Sequence, residues 1–227
     1  MRKLVLWGHH VAEYKAMFDL SDEEIRSRIL EYGCGPSAMN AVLHQESPLI
    51  VSCDPLFRLT KPDLVLKATS LFDKRVKQVL ADQGQFDVSQ YGGIEAFIAS
   101  RRAGMSLFFA DYEEGLAQER YISRPKDHLP FMDSKFDYAL CSHYLFANPE
   151  TQPVDFHLAL IAELARVAGE VRIFPLIDRV GQPSPLLGPV LLGLQQENYG
   201  VEVRDVAYPL YPAGNAMLRI WAQQCHV

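Results

Sequence analysis

The sequence predicts an α/β domain whose sheet is mostly parallel and closes with an antiparallel hairpin. Short apolar runs of strand length recur along the chain, and between the early ones lie stretches of helical period. The last two runs have no room for a helix between them. Strands alternating with helices build a parallel sheet covered on both faces. Two strands joined by a short connection pair antiparallel.

The elements follow in order. Residues 1–28 are read as an N-terminal helical segment, amphipathic around Glu13-Tyr14-Lys15-Ala16-Met17-Phe18. Its start, MRKLVLWGHH, has too short an apolar core for a signal peptide. Residues 29–32 form the first buried strand, which breaks at Gly33-Cys34-Gly35-Pro36-Ser37 and resumes as a helix. Residues 49–53 are the second strand. Leu64, Ala68, Leu71, Phe72, Val76, Val79 and Leu80 then recur at helical spacing after Pro62, a residue suited to a first helical position. From Pro55 to Arg120 the chain is longer than one loop and one helix require, so residues 84–119 are a helical insertion after the second strand. Residues 91–118 supply one or two helices there, either as a lid over the sheet's carboxyl edge or as scaffold on an outer face. Residues 121–123 are a short strand and 136–141 the fourth. A helix over 156–167 ends on Ala168-Gly169, a glycine stop before the strand at 171–174. Residues 201–208 and 216–221 are the closing hairpin. No repeat or low-complexity linker interrupts the 227 residues, which read as a single domain.

Composition narrows the function. Hydrophobic residues make up 48% and charged residues 22%, ordinary for a globular protein with a sizeable core. A net charge of −6 implies no general affinity for nucleic acid, and no apolar run is long enough to predict a membrane span. Cys34, Cys53, Cys141 and Cys225 lie far apart without metal-ligand spacing, which fits reduced thiols in a cytoplasmic protein and no metal site. His9-His10 are read as surface or packing residues, and Arg101-Arg102 either as a solvated face or as a place to receive an acidic substrate.

The chemistry lies at the first turn. Gly33 and Gly35 let the backbone bend sharply and let a ligand approach without Cβ atoms in the way. Twenty-one residues after Gly33 comes Asp54, just past the second strand, where a carboxylate can accept both hydroxyl protons of a ribose. A pyrophosphate at this turn would meet the negative charge of Glu31, whereas a cationic ligand suits it. S-adenosylmethionine carries a ribose, a sulfonium and an ammonium but no phosphate.

These residues resemble the motifs of class I S-adenosylmethionine-dependent methyltransferases. Ile29-Leu-Glu-Tyr-Gly-Cys-Gly-Pro-Ser37 is similar to the family's first motif and Cys53-Asp54-Pro55 to its second. Leu129 to Ser142 resembles the segment entering the fourth strand, and Glu163-Leu-Ala-Arg-Val167 the helix before the fifth. More narrowly, FFADYEEG, LCSHYLF, DFHL, RIFPL and NAMLRI are similar to a group of bacterial methyltransferase-like proteins. The resemblance implies a Rossmann-like class I methyltransferase fold with seven strands, S-adenosyl-L-methionine as cofactor, and a small-molecule substrate. It implies cofactor contacts from Glu31, Gly33, Gly35, Asp54, Pro55 and Leu56, the last either on the adenine face or in the core. Ser37 stands where the family has a third glycine. Pro125 stands where many members have an adenine-binding Asp, and either Asp127 or a main-chain group takes that role. Tyr14 either folds over the methionine end of the cofactor or packs as plain helix. Cys141, Ser142 and His143 follow the fourth strand and are expected at the reaction centre, Ser142 as a cofactor contact, Cys141 either as a cofactor contact or as core, and His143 either as a general base or as part of the wall. Phe109, Asp111 and Tyr112 are expected either to line a substrate pocket or to belong to helix core. No Asn/Asp-Pro-Pro-Tyr/Phe motif appears: Asn148-Pro149 lacks the aromatic ending, so methylation of base amino groups has no support. A non-catalytic S-adenosylmethionine sensor is the alternative. A nicotinamide-dependent oxidoreductase is a third class, opposed by Glu31 and the hairpin.

Overall fold

The computed structural model describes residues 7–47, 49–81, 84, 86–123, 128–178, 180–208, 210 and 214–222. Seven strands, β1 (Ile29–Tyr32), β2 (Ile50–Asp54), β3 (Tyr121–Ser123), β4 (Phe136–Ser142), β5 (Ala168–Phe174), β6 (Tyr199–Asp205) and β7 (Ala216–Ala222), form one sheet. Its order is β3-β2-β1-β4-β5-β7-β6. The first five are mutually parallel, and β7 runs antiparallel between β5 and β6. This is the seven-stranded arrangement with a closing hairpin that the sequence predicts.

Both faces of the sheet are covered, which is why apolar residues of its central strands point to both sides, broken by single polar residues such as Glu31 and Arg172. On one face Ile29, Ile50, Leu140 and Phe174 pack under α1 (Val11–Phe18), α2 (Met39–Leu43), α3 (Lys61–Ala81) and α4 (Ile94–Ala117). On the other, Leu30, Val51, Cys141 and Ile173 pack under α5 (Val154–Val167) and α6 (Leu187–Gln196). The period of two along each strand assigns these faces.

The structure corrects several local expectations. Gly169 is not a helix stop: α5 runs directly into β5, Ala168 is already extended (φ −134°, ψ 148°), and Gly169 lies inside the strand. The long connection resolves into α3 and α4. The second packs on α2, α3 and β3, so it thickens one face of the sheet. Arg101 is not on a solvated face. It is fully buried on α4, donates to the Glu13 carboxylate and to the Tyr208 hydroxyl (2.6 Å), and lies over the Phe97 ring at 4.9 Å. Arg102 is exposed and pairs with Asp73. Among the described residues no helix is long and apolar enough to cross a membrane.

Candidate active site

Strand order reverses between β1 and β4, and a crevice opens beyond their carboxyl ends. It holds a cleft of about 230 Å³. Its floor is Gly33 and Cys34 of the turn after β1. One side is Asp54-Pro55-Leu56 after β2, with Leu71 and Arg75 of α3. The other side is Ser142-His143-Tyr144 after β4, joined by Trp7 and His9 from the segment before α1.

Asp54 organises the near side. Its Oδ2 accepts from the Gly35 amide (2.9 Å) and its Oδ1 from the Leu56 amide (2.8 Å). The second bond caps the short 3₁₀ turn Pro55–Arg58. The carboxylate thus ties the turn after β1 to the turn after β2 at the edge of the cleft.

The turn needs its glycines. Gly33 (φ +68°) and Gly35 (φ +57°) are in the left-handed region. A Cβ on Gly33 would lie 2.6 Å from Tyr144 Cβ, and one on Gly35 would lie 2.6 Å from Trp7 Nε1. The close approach is therefore real, but the groups that approach are two aromatic side chains of the chain itself. The first amides after the turn are also engaged: Ser37 N donates to Gly35 O (2.9 Å), Ala38 N to His9 O (3.0 Å) and Met39 N to Ser37 Oγ (3.1 Å). With α2 only five residues long, little remains to hold a pyrophosphate.

Beside the turn lies a buried polar layer. Glu31 is fully buried on β1; its Oε2 accepts from the cross-strand Ser52 hydroxyl (2.6 Å), while Oε1 has no hydrogen-bond partner among the described residues. Burial raises its pKa, and nearby Ser37, Ser52 and Tyr14 oppose that rise in part. Tyr14 is fully buried, its hydroxyl 3.3 Å from Ser142 Oγ. Burial, then the Glu31 charge, push the phenol well above its usual pKa. Ser37 is buried with them.

His143 has φ +56° and donates its amide to Phe174 O (2.6 Å). Its ring stacks on His9 at 4.8 Å and 22°. Burial, then the Arg101 charge, lower its pKa to about 3. An efficient general base has a pKa near the working pH. His143 is thus placed as a neutral hydrogen-bonding group more than as a proton acceptor.

Other sequence candidates lie elsewhere. Cys141 faces the opposite side of β4, in the core under α5, because neighbouring strand residues alternate and only Ser142 can face the cleft. Phe109 is half-buried on α4, edge-on to Phe108. Asp111 accepts from Arg120 (2.7 and 2.8 Å) and from the Tyr121 hydroxyl (2.7 Å). Tyr112 is fully buried and donates to Phe57 O (3.1 Å) and Leu59 O (3.0 Å). None of the three lines the cleft: they fasten α4 to β3 and to the turn after β2. Asp127 and Pro125 fall outside the described residues.

Sequence reasoning missed Trp7, His9, Leu71, Arg75 and Tyr144. Leu71 and Arg75 are one helical turn apart, a signal that was available. Trp7 and His9 lie in a segment with no periodicity, and nothing in the sequence marks them. Among the described residues no group of three His, Cys, Asp or Glu side chains can hold a metal ion.

The strand order with its inserted antiparallel β7 is the Rossmann-like class I methyltransferase arrangement expected from the motifs. No family model matches the chain. It is similar to the uncharacterized protein MJ0045 of Methanocaldococcus jannaschii, at 25% identity over 221 residues that cover 97% of each chain. Among solved structures it is similar to the pyocyanin biosynthetic protein PhzM, at 16% identity and a TM-score of 0.46, covering 94% of this chain and 55% of that one. It is also similar to a SAM dependent methyltransferase from Aquifex aeolicus, at 14% identity and a TM-score of 0.43, covering 92% of both chains. The chain spans about half the length of PhzM.

Proposed function

We propose that the chain is an S-adenosyl-L-methionine-dependent methyltransferase acting on a small molecule. The observation that carries this is Asp54 at the end of β2, bonded to the Gly35 amide across the mouth of the cleft. It stands where a ribose would rest between the two turns.

The residues fit the cofactor on two counts. Gly33 and Gly35 hold the turn in the left-handed conformation that brings its backbone to the cleft, and Glu31 holds a buried oxygen without a hydrogen-bond partner among the described residues beside the turn. Asp54 would take the ribose hydroxyls, Pro55 and Leu56 the adenine, and Glu31 with Tyr14 and Ser37 the cationic methionine end. When bound, the cofactor supplies a methyl group already activated on a sulfonium. What the chain must add is alignment and exclusion of water, the largest contributions available to such a reaction. Ser142 and His143 stand at the end of β4 to orient the acceptor. Binding sites for drug-sized ligands measure roughly 300–1,000 Å³, and the cleft holds about 230 Å³ with Trp7 and Tyr144 against the glycine turn.

Calorimetry with S-adenosylmethionine, S-adenosylhomocysteine and NAD tests the cofactor. Binding of the first two and not the third is expected, and the reverse order overturns the reading. Transfer of labelled methyl from S-adenosylmethionine into a metabolite extract tests catalysis. Tight cofactor binding with no labelled product would favour the non-catalytic sensor.

A further inference from the structure

His9 lies in the cleft wall and has no role in the function proposed above. It does not come from a strand end. The segment carrying it runs beside the glycine turn, with Gly8 N donating to Pro36 O (2.9 Å) and His9 O accepting from Ala38 N (3.0 Å). Bringing it there requires glycine on both sides of a contact. Gly8 has φ +89°, and a Cβ on Gly104 of α4 would lie 2.1 Å from Gly8 O. The fold thus fixes the position of this segment tightly.

The ring that results is 2% exposed, and its Nδ1 is buried with no hydrogen-bond partner among the described residues. A buried polar atom is costly to leave in that state, and in a cleft a ligand hydroxyl can supply the missing hydrogen bond. The ring meets Tyr14 edge-on at 6.2 Å and stacks on His143. Two stacked imidazoles therefore stand in the wall of a cleft that Trp7 and Tyr144 also line.

We infer that His9 contacts the methyl acceptor, and that the acceptor is a flat ring bearing a hydroxyl group held at the His9–His143 pair. This rests on the reading of the cleft as a methyl-transfer site. A hydroxyl both donates and accepts, so it satisfies a neutral imidazole in either tautomer. Burial, then the charges of Arg101 on α4, His143 and His10, keep His9 neutral. Trp7 and Tyr144, which line the same cleft, are aromatic side chains of the kind that pack against a ring. Among the described lining residues an ammonium would find a carboxylate only at Asp54, which the reading above assigns to the ribose. The carboxylate lining the cleft is Asp54, already engaged by two amides, and the cation lining it is Arg75. His9 acts as a binding and orienting contact, and no proton transfer is assigned to it.

The test uses catechol and benzylamine as probes, each titrated calorimetrically into protein saturated with S-adenosylhomocysteine. Catechol should bind and benzylamine should not. His9→Phe keeps the ring volume and removes the nitrogens; it should weaken catechol binding by at least about tenfold, and His9→Asn should regain most of that loss by restoring a polar atom near the Nδ1 position. Affinity for S-adenosylhomocysteine should stay within about twofold in both variants. Absence of catechol binding, equal catechol binding by His9→Phe, or preference for benzylamine overturns the inference while leaving the cofactor reading intact. A wild-type protein that ignores S-adenosylhomocysteine removes both.

Discussion

The Asp54 carboxylate accepts the Gly35 amide at 2.9 Å and the Leu56 amide at 2.8 Å, tying the turn after β1 to the turn after β2. One side chain thus shapes the cleft and is offered to the ligand. Asp54→Ala is expected to fail twice. Hydrogen bonds to charged groups contribute about 1.5–3 kcal/mol each, so the variant should lose stability as well as cofactor affinity. Asp54→Asn keeps an acceptor for one amide and should melt nearer to wild type while still binding S-adenosylhomocysteine weakly. Thermal melts followed by circular dichroism, with calorimetry on the folded fraction, separate the two losses. Unchanged affinity in a folded Asp54→Ala protein refutes the ribose assignment.

The buried pair Arg101–Glu13 is expected to behave as a unit. Arg101 is fully buried, Glu13 is 8% exposed, and the Tyr91 and Tyr208 hydroxyls complete the cluster. Removing one partner of a buried ion pair leaves a charge unsolvated and costs about 3–5 kcal/mol. Arg101→Met should therefore destabilise strongly, and adding Glu13→Leu should recover part of the loss. Urea denaturation of the two single variants and the double variant measures the coupling. If the two losses simply add, the residues are not a unit and the cluster is ordinary packing.

Acid should unfold the protein through two identifiable carboxylates. Burial opposes ionisation of Glu24, but the Ser21 amide, the Arg172 guanidinium and the Tyr138 hydroxyl lower its pKa from the usual 4.5 to about 2. Arg166 and the Leu129 amide lower Glu163 to about 2, against the opposing effect of burial. A depressed folded-state pKa contributes stability that is complete above the unfolded value and is lost as pH falls towards the folded one. The loss should fall between about pH 4.5 and pH 2. Glu31 acts in the opposite sense: burial raises its pKa, so its protonation relieves a cost on acidification. Glu24→Gln and Glu163→Gln should each flatten the acid limb of stability against pH, and Glu31→Gln should raise stability at neutral pH. Urea midpoints across pH 2–7 decide, and an acid limb unchanged in the first two variants rules out this origin.

Much of the fold was legible because the central strands are buried on both faces. Residues 29–32 and 136–141 are mostly apolar for that reason, and the gap before residue 216 left no space for a helix. Asp54 was legible because its position depends only on the end of a strand. Residues set by distant contacts were not. Arg101 looks solvated beside Arg102 until Glu13, 88 residues earlier, is folded against it. Asp111 and Tyr112 look available for substrate until Arg120 and the Phe57 and Leu59 carbonyls engage them. Gly169 looked like a stop because a glycine's φ cannot be read from sequence, and here it is ordinary strand. Trp7 and His9 enter the cleft through backbone bonds to Pro36 and Ala38, which no local pattern encodes.

Trp7 should report the loading of the cleft. Its indole lies against Gly35, with Nε1 2.6 Å from where a Cβ would stand, and it lines the same cleft as Asp54. A ligand that reaches the glycine turn must take the place of the indole or stack against it. Either change alters the polarity around the ring and therefore its fluorescence. The chain has two tryptophans, and Trp221 lies on β7 against Gly200 and Arg219, away from the cleft. S-adenosylhomocysteine should therefore change emission saturably in the wild type, and Trp7→Phe should abolish the change while the protein still binds ligand by calorimetry. Phe lacks the second ring and the N–H, so the floor is less obstructed and affinity should rise or hold. A saturable signal that survives in Trp7→Phe would assign it to Trp221 and place the ligand elsewhere. Loss of binding in that variant would make the indole part of the site rather than a group that yields to the ligand.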